Sequence, residues 1–136
     1  MLSQLGLGLS HLHACSIAHL DVKPANAMKF GETWKLIDFD AAQPFGEAAG
    51  RKYSTLVAPP ELLIRTDTGV QVRDPDGVSL LQVSPSYDVW SFGCVMYHLV
   101  TGRSLFLADL NDNLDTEELS KLAEWSLTSQ LSLIHI

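Results

Sequence analysis

The stretch His19-Leu20-Asp21-Val22-Lys23-Pro24-Ala25-Asn26 decides how the 136-residue chain is read. Pro24 has no backbone donor and confines Lys23 to extended conformations, so a rigid loop is expected here rather than a helix. Within it a carboxylate, an ammonium and a carboxamide stand at fixed spacing. Those groups suit phosphoryl transfer, where catalysis is mostly positioning and charge neutralisation. Asp21 can orient a hydroxyl and take its proton, and Lys23 can neutralise charge on a transferring phosphate. Asn26 offers a neutral oxygen to Mg2+, and Asp38, following the apolar strand Trp34 to Ile37, offers a hard anionic oxygen to the same ion. Taken singly, each has an ordinary reading: Asn and Asp populate turns, His19 can pack in a core, and Lys23 can sit in solvent. His19, Asp21, Lys23, Pro24 and Asn26 in this order arise by chance on the order of once in 10⁴ chains of this length, which favours the chemical reading.

Working outward, leucines at 2, 5, 9 and 12 recur at helical spacing and predict a core helix from Leu2 to Ala18. After the loop, Ala27 to Phe30 and Trp34 to Ile37 flank Gly31-Glu32-Thr33 and predict a hairpin. Asp38 to Glu61 is rich in Gly, Ala and Ser and predicts an irregular loop. Arg65 to Ser86 carries the turn signals Thr66-Asp67-Thr68-Gly69 and Asp74-Pro75-Asp76-Gly77 and is expected as a surface insertion. Asp88 to Thr101 is apolar nearly all round, as suits a helix enclosed by protein, and Gly102 stops it. Asp115-Thr116-Glu117-Glu118 reads as a capping box opening a helix with Leu119, Leu122 and Trp125 inward. The preceding run Asp109 to Asp115 alternates oxygen side chains. It lacks the central glycine and final glutamate of a calcium loop, so a solvated loop is expected.

With 46% hydrophobic and 18% charged residues the chain has the composition of a globular unit. A net charge of −7 and a pI near 5.0 argue against nucleic-acid or anionic-membrane binding, which needs surplus Lys and Arg. Phosphate chemistry in so acidic a chain calls for a metal ion. The longest apolar run, Val89 to Val100, is too short to span a bilayer. Cys15 and Cys94 stand apart in apolar surroundings and are expected as buried free thiols in a reducing, cytosolic compartment. The last six residues, 131–136, match an in-frame translation of a sequencing-library adapter; an ordinary apolar tail is the alternative.

The His19–Asn26 loop resembles the catalytic loop of the protein kinases, usually H-R-D-x-K-x-x-N, and Asp38-Phe39-Asp40 resembles their D-F-G metal motif. Val57-Ala58-Pro59-Pro60-Glu61 is similar to the A-P-E motif that closes the activation segment. Asp88-Val89-Trp90-Ser91-Phe92-Gly93 is similar to the start of the long central helix of the C-terminal lobe. The resemblance implies an α+β fold class: the mainly helical C-terminal lobe of a protein-kinase-like fold, with a short β-hairpin after the catalytic loop and the N-terminal lobe absent. Residues 1–130 would be the partial domain and 65–86 its insertion. ATP and Mg2+ are the implied cofactors. A protein bearing a Ser or Thr acceptor is the implied partner, since Lys23 is what serine/threonine kinases carry at this place.

By the same resemblance Asp21 and Lys23 are catalytic, and Lys23, Asn26, Met28 and Asp38 serve the nucleotide, with Met28 beneath the adenine. Asn26 and Asp38 hold the metal. His19 and Phe39 would stack in the column linking the lobes, and Asp88 would anchor the loop backbone. Ser54 or Thr55 takes the place of the threonine that bonds the catalytic Asp and Lys; these two and Tyr53 read equally as solvated residues or phosphosites. Glu61 would be a buried carboxylate without its arginine. Three departures stand out. Leu20 replaces the family arginine, which removes the usual receiver of an activation-loop phosphate. Asp40 replaces a glycine, at a cost on the order of 1–2 kcal/mol if that position needs a positive φ. The glycine-rich loop, strand lysine and helix glutamate of the nucleotide site do not occur in the chain. The resemblance therefore implies a chain inactive by itself from an active parent kinase, the alternative being a pseudokinase scaffold.

Overall fold

The computed structural model describes residues 1–50, 52–73 and 81–132, with 126–132 taken as backbone alone. Its helices are α1 (Leu2–Ala14), α2 (Pro85–Thr101) and α3 (Thr116–Ser132). Its strands are β1 (Ile17–Ala18), β2 (Ala27–Phe30), β3 (Thr33–Leu36), β4 (Gln43–Pro44), β5 (Leu63–Thr66) and β6 (Gly69–Val72). Single 3-10 turns cover Pro24–Asn26, Thr55–Val57 and Pro60–Leu62. The strands form three antiparallel pairs, β1 with β4, β2 with β3 and β5 with β6.

Helix α1 buries Leu5 and Leu9 and stops four residues short of the expected Ala18. The Cys15 amide bonds back to His11 and Leu12, and Ser16, at φ 60°, turns the chain out of the helix. Ile17 and Ala18 then pair with Pro44 and Gln43, which draws Ala18 fully into the core. This break points the following residues across the molecule toward α2. Cys15 is left exposed at the end of α1, contrary to expectation, whereas Cys94 is buried; both are free.

The β2–β3 hairpin forms with Ala27 opposite Leu36 and Phe30 opposite Thr33. Thr33 therefore belongs to the strand, and Gly31-Glu32 makes the turn, with Gly31 at φ +59°, where a glycine is unstrained. The segment expected as an irregular insertion holds a second hairpin, β5–β6, which begins at Leu63 and turns through Asp67-Thr68. It is not a loose excursion. Leu63 joins Phe106, Leu114, Leu122 and Ala123 in one cluster, and Val70 and Val72 pack on it, so the hairpin covers α3. The turn signal Asp74-Pro75-Asp76-Gly77 lies outside the described residues, as do 133–136.

Helix α2 opens at Pro85, which suits a first helical position, and closes at Gly102 (φ 70°), whose amide bonds to the His98 carbonyl. It buries Tyr87, Asp88, Ser91, Cys94 and Val95 against α1, β1 and the Thr55–Val57 turn. The buried Ser91 hydroxyl donates to the Val57 carbonyl at 2.7 Å and pins that turn to the helix. Its opposite side is bare: Val89 is 62% and Val100 78% exposed. The expectation of a helix enclosed on all sides is thus corrected, because the described elements pack on one face only.

Asp115 caps α3 by accepting the Glu118 amide at 2.9 Å. Glu118 does not complete the capping box; its carboxylate accepts the Leu107 amide at 3.0 Å and the Lys121 ammonium at 2.7 Å. Leu122 is buried, and Trp125, at the rim, meets Trp90 and Phe106 edge-on. Among the described residues no helix is long and apolar enough to cross a membrane.

Candidate active site

Asp88, the fourth residue of α2 and fully buried, organises the loop that follows β1. One carboxylate oxygen accepts the His19 amide at 2.8 Å and the other the Leu20 amide at 2.9 Å. His13 Nε2, from the last turn of α1, donates to the first oxygen at 2.8 Å. A buried carboxylate is costly unless so surrounded by donors. Leu20 is held at φ 65°, with its side chain buried among Ala18, Ala58 and Tyr87. An arginine could not fill that apolar site without burying its charge, so Leu20 and its surroundings suit each other.

His19 is also buried and lies 5.0 Å, centroid to centroid, from Phe39. Its Nε2 donates to the Ile37 carbonyl at 3.1 Å, leaving Nδ1 to accept the Asp21 amide at 3.4 Å. Asn26 is buried on the short 3-10 turn that Pro24 initiates, and its Nδ2 donates to the Asp21 backbone oxygen at 2.9 Å and to Asp21 Oδ2 at 3.0 Å. The Ile37 amide donates to the Asn26 carbonyl at 2.9 Å, so the β2–β3 hairpin brings Asn26 and the residues before Asp38 together. Asp21 Oδ1 is buried and has no hydrogen-bond partner.

Lys23 is the hub. Its ammonium donates to Ser54 Oγ at 2.7 Å and to Asp112 Oδ2 at 3.1 Å, and lies 3.4 Å from Asp21 Oδ2. Burial draws its pKa down, but the Asp112 hydrogen bond and the charges of Asp21 and Asp112 outweigh that and hold it above the ordinary lysine value. Ser54, rather than Thr55, therefore meets Lys23. Thr55 turns the other way, accepting the buried Leu114 amide at 2.7 Å. Asp112 was not singled out from the sequence, where it is one of several acids in a polar run. The loop that carries it is not merely solvated: the Asp112 carbonyl accepts the Leu56 amide at 3.1 Å and so ties the loop to the segment bearing Ser54. A cavity of about 260 Å³ opens beside this hub, lined among others by Lys23, Leu56, Cys94, His98, Leu105 and Asp112. Burial lifts the Cys94 thiol to about 11, so it stays protonated and is no nucleophile there.

Asp38 is exposed and, at φ 62°, itself occupies the left-handed region; Asp40 does not, so the strain considered for Asp40 falls away. Asp40 pairs with Lys52, and that hydrogen bond holds the Asp40 carboxyl below its ordinary pKa. Met28 is half-exposed on β2 opposite Lys35. Glu61 is exposed, which corrects the expectation of a buried carboxylate: on the Pro60–Leu62 turn the inward positions go to Pro60 and Leu62. Among the described residues no group of three or more His, Cys, Asp or Glu is placed to hold a metal ion.

A family model for the protein kinase domain matches residues 1–133. The chain belongs to the protein kinase family. This protein kinase chain is 34% identical over 113 residues to the smooth-muscle myosin light chain kinase of Gallus gallus, covering 81% of the chain and 5% of that relative. It is 34% identical over 114 residues to the death-associated protein kinase dapk-1 of Caenorhabditis elegans, covering 82% of the chain and 7% of the relative. It is 31% identical over 107 residues to the stress-activated protein kinase JNK of Drosophila melanogaster, covering 78% and 26%. The chain thus spans only 5% to 26% of the length of these relatives. Its fold is similar to that of the Cydia pomonella granulovirus kinase PK-1, with a TM-score of 0.63 and 19% identity over 85% of this chain and 38% of the other.

Proposed function

We propose that the chain is part of the C-terminal, catalytic lobe of a serine/threonine protein kinase that transfers the γ-phosphate of ATP to a Ser or Thr hydroxyl of a protein. The observation that carries this reading is the Asp21–Lys23–Asn26 constellation closed by Ser54. In it Asp21 Oδ1 is left buried and unmatched. A substrate hydroxyl donating to that oxygen would satisfy it, and a buried orphan acceptor is costly enough to favour such a guest. In the transfer the hydroxyl oxygen bonds to the γ-phosphorus as the bond to the leaving oxygen breaks, ADP keeps that electron pair, and Asp21 receives the hydroxyl proton. Lys23 lies beside Asp21 and offers positive charge to the phosphoryl oxygens.

Protein kinases generally use ATP and Mg2+, and the residues here fit that ion. Mg2+ is held through one or two carboxylates and the phosphates themselves rather than by an all-protein cage. Asp38 and Asn26, linked through the Ile37 amide, are the groups that would hold it. Bound there, the metal would neutralise charge on the phosphates. Met28 would serve the nucleotide base. Since the nucleotide-binding motifs of the other lobe do not occur in this sequence, we infer that these 136 residues alone do not transfer phosphate. The free cysteines suit a reducing, cytosolic setting.

The test uses the intact kinase with Mg2+-ATP and a generic Ser/Thr substrate. Asp21→Asn is expected to cut turnover by about 10²-fold or more while nucleotide binding persists. Asp38→Ala is expected to weaken Mg2+-nucleotide binding instead. Undiminished turnover in Asp21→Asn would remove Asp21 from its role. A wild-type protein that binds its partners but never transfers phosphate would favour the scaffold reading.

A further inference from the structure

An ammonium has three N–H donors, and at Lys23 each faces a partner: Ser54 at 2.7 Å, Asp112 at 3.1 Å and Asp21 at 3.4 Å. None is left over for a phosphate. Two carboxylates share this one cation, so its surroundings are net negative, which opposes the approach of a highly charged phosphoryl group. One partner must give way if Lys23 is to meet a phosphate oxygen, and the three are unequal. Ser54 is buried. Asp21 is held by Asn26 through both its backbone and its side chain. Asp112 has a side chain 36% exposed, on a loop whose neighbours Asp109, Leu110, Asn111 and Asn113 all face solvent.

We propose that Asp112 is an internal stand-in for phosphate, an autoinhibitory contact that occupies Lys23 until the terminal phosphate of the nucleotide displaces it. The inference rests on the phosphotransfer role given to Lys23 above. Displacement needs only a side-chain rotation, because the loop stays fastened through its backbone. The Asp112 carbonyl accepts the Leu56 amide at 3.1 Å, and the Leu114 amide donates to Thr55 at 2.7 Å. Asp112 sits at φ 61°, a conformation aspartate tolerates better than most residues, so the backbone presents its carboxylate to Lys23 by a local turn of the loop.

The stand-in competes with the terminal phosphate alone, and that separates it from a general charge effect. Calorimetric titration of the intact kinase with Mg2+-ATP and with Mg2+-ADP reads the difference. Asp112→Asn keeps the shape and removes the charge; Asp112→Gly suits the positive φ and removes the side chain. Both variants are expected to bind Mg2+-ATP about two- to fivefold more tightly than wild type, the range of a part-exposed ion pair, and to bind Mg2+-ADP unchanged. Unaltered or weakened ATP affinity in either variant, or an equal gain for ADP, overturns the proposal. Because the readout is binding, a kinase that proves unable to transfer phosphate would sink the functional reading while the two titrations still decide the role of Asp112.

Discussion

Ser54 and Thr55 are adjacent hydroxyls, both buried, with unrelated duties. Ser54 accepts from the Lys23 ammonium, and Thr55 accepts from the Leu114 amide. From sequence either could take the place of the family threonine, since one residue of register decides the matter. The register is set by the Thr55–Val57 turn, which Ser91 of α2 pins in place, and that contact spans residues far apart in the chain. The two substitutions should therefore separate. Ser54→Ala removes one of three partners of the Lys23 ammonium and leaves the Asp112 and Asp21 carboxylates on it, so little stability is lost; in the intact kinase, on the role proposed for Lys23, it is expected to lower kcat roughly ten- to a hundredfold. Thr55→Ala strands a buried amide and is expected to cost about 1–3 kcal/mol of stability. Urea midpoints and turnover numbers for both variants of the intact kinase check this, and a Thr55→Ala protein of normal stability but poor turnover would reverse the assignment. The loop itself was the more legible feature, because Pro24 and the order of its polar groups impose constraints that act within a few residues.

Among the elements, those set by local turn and stop residues are legible in the sequence, and those that depend on distant partners are not. The β2–β3 hairpin and the stop at Gly102 follow from turn and cap residues. The β5–β6 hairpin stayed hidden because its short strands alternate polar and apolar residues weakly and gain their purpose only from α3. Glu118 is a similar case. The sequence suggests the reciprocal half of a capping box, yet the carboxylate is drawn to the Leu107 amide and Lys121, which lie on its own side of the helix. The Lys121 hydrogen bond and the Leu107 amide hold the Glu118 carboxyl below its ordinary value of 4.5. A depressed acid stabilises the fold above its unfolded pKa, and that contribution is lost as pH falls through the folded one. The wild-type chain should thus lose stability below about pH 4.5 in part through this contact, and Glu118→Gln should flatten that decline. Urea midpoints between about pH 3 and 7 measure it; parallel curves for the two proteins would show that Glu118 does not contribute.

Across the whole molecule, motifs in family order announce the kinase fold, but the apolar sequence of α2 does not say which of its sides is covered. A helix apolar all round has no preferred face, so its orientation is set by what packs against it. Here α1, β1 and the Thr55–Val57 turn take the Asp88, Ser91 and Val95 side, and that choice is what delivers Asp88 to the amides of His19 and Leu20. The consequence is an apolar stripe at Val89, Met96 and Val100 open to water. Contiguous exposed apolar surface favours association, whereas substitution at exposed positions costs little stability. The double variant Val89→Glu and Val100→Lys places an acid in the N-terminal half of α2 and a base in its last turn, in keeping with the helix dipole, and leaves the net charge at −7. It is expected to keep its unfolding free energy, read from urea titration, within about 0.5 kcal/mol of wild type and to sediment as a smaller species at equal concentration. Because net charge is unchanged, any gain in solubility belongs to the lost apolar surface. A variant that associates as strongly as wild type would mean that this side of α2 plays no part in association.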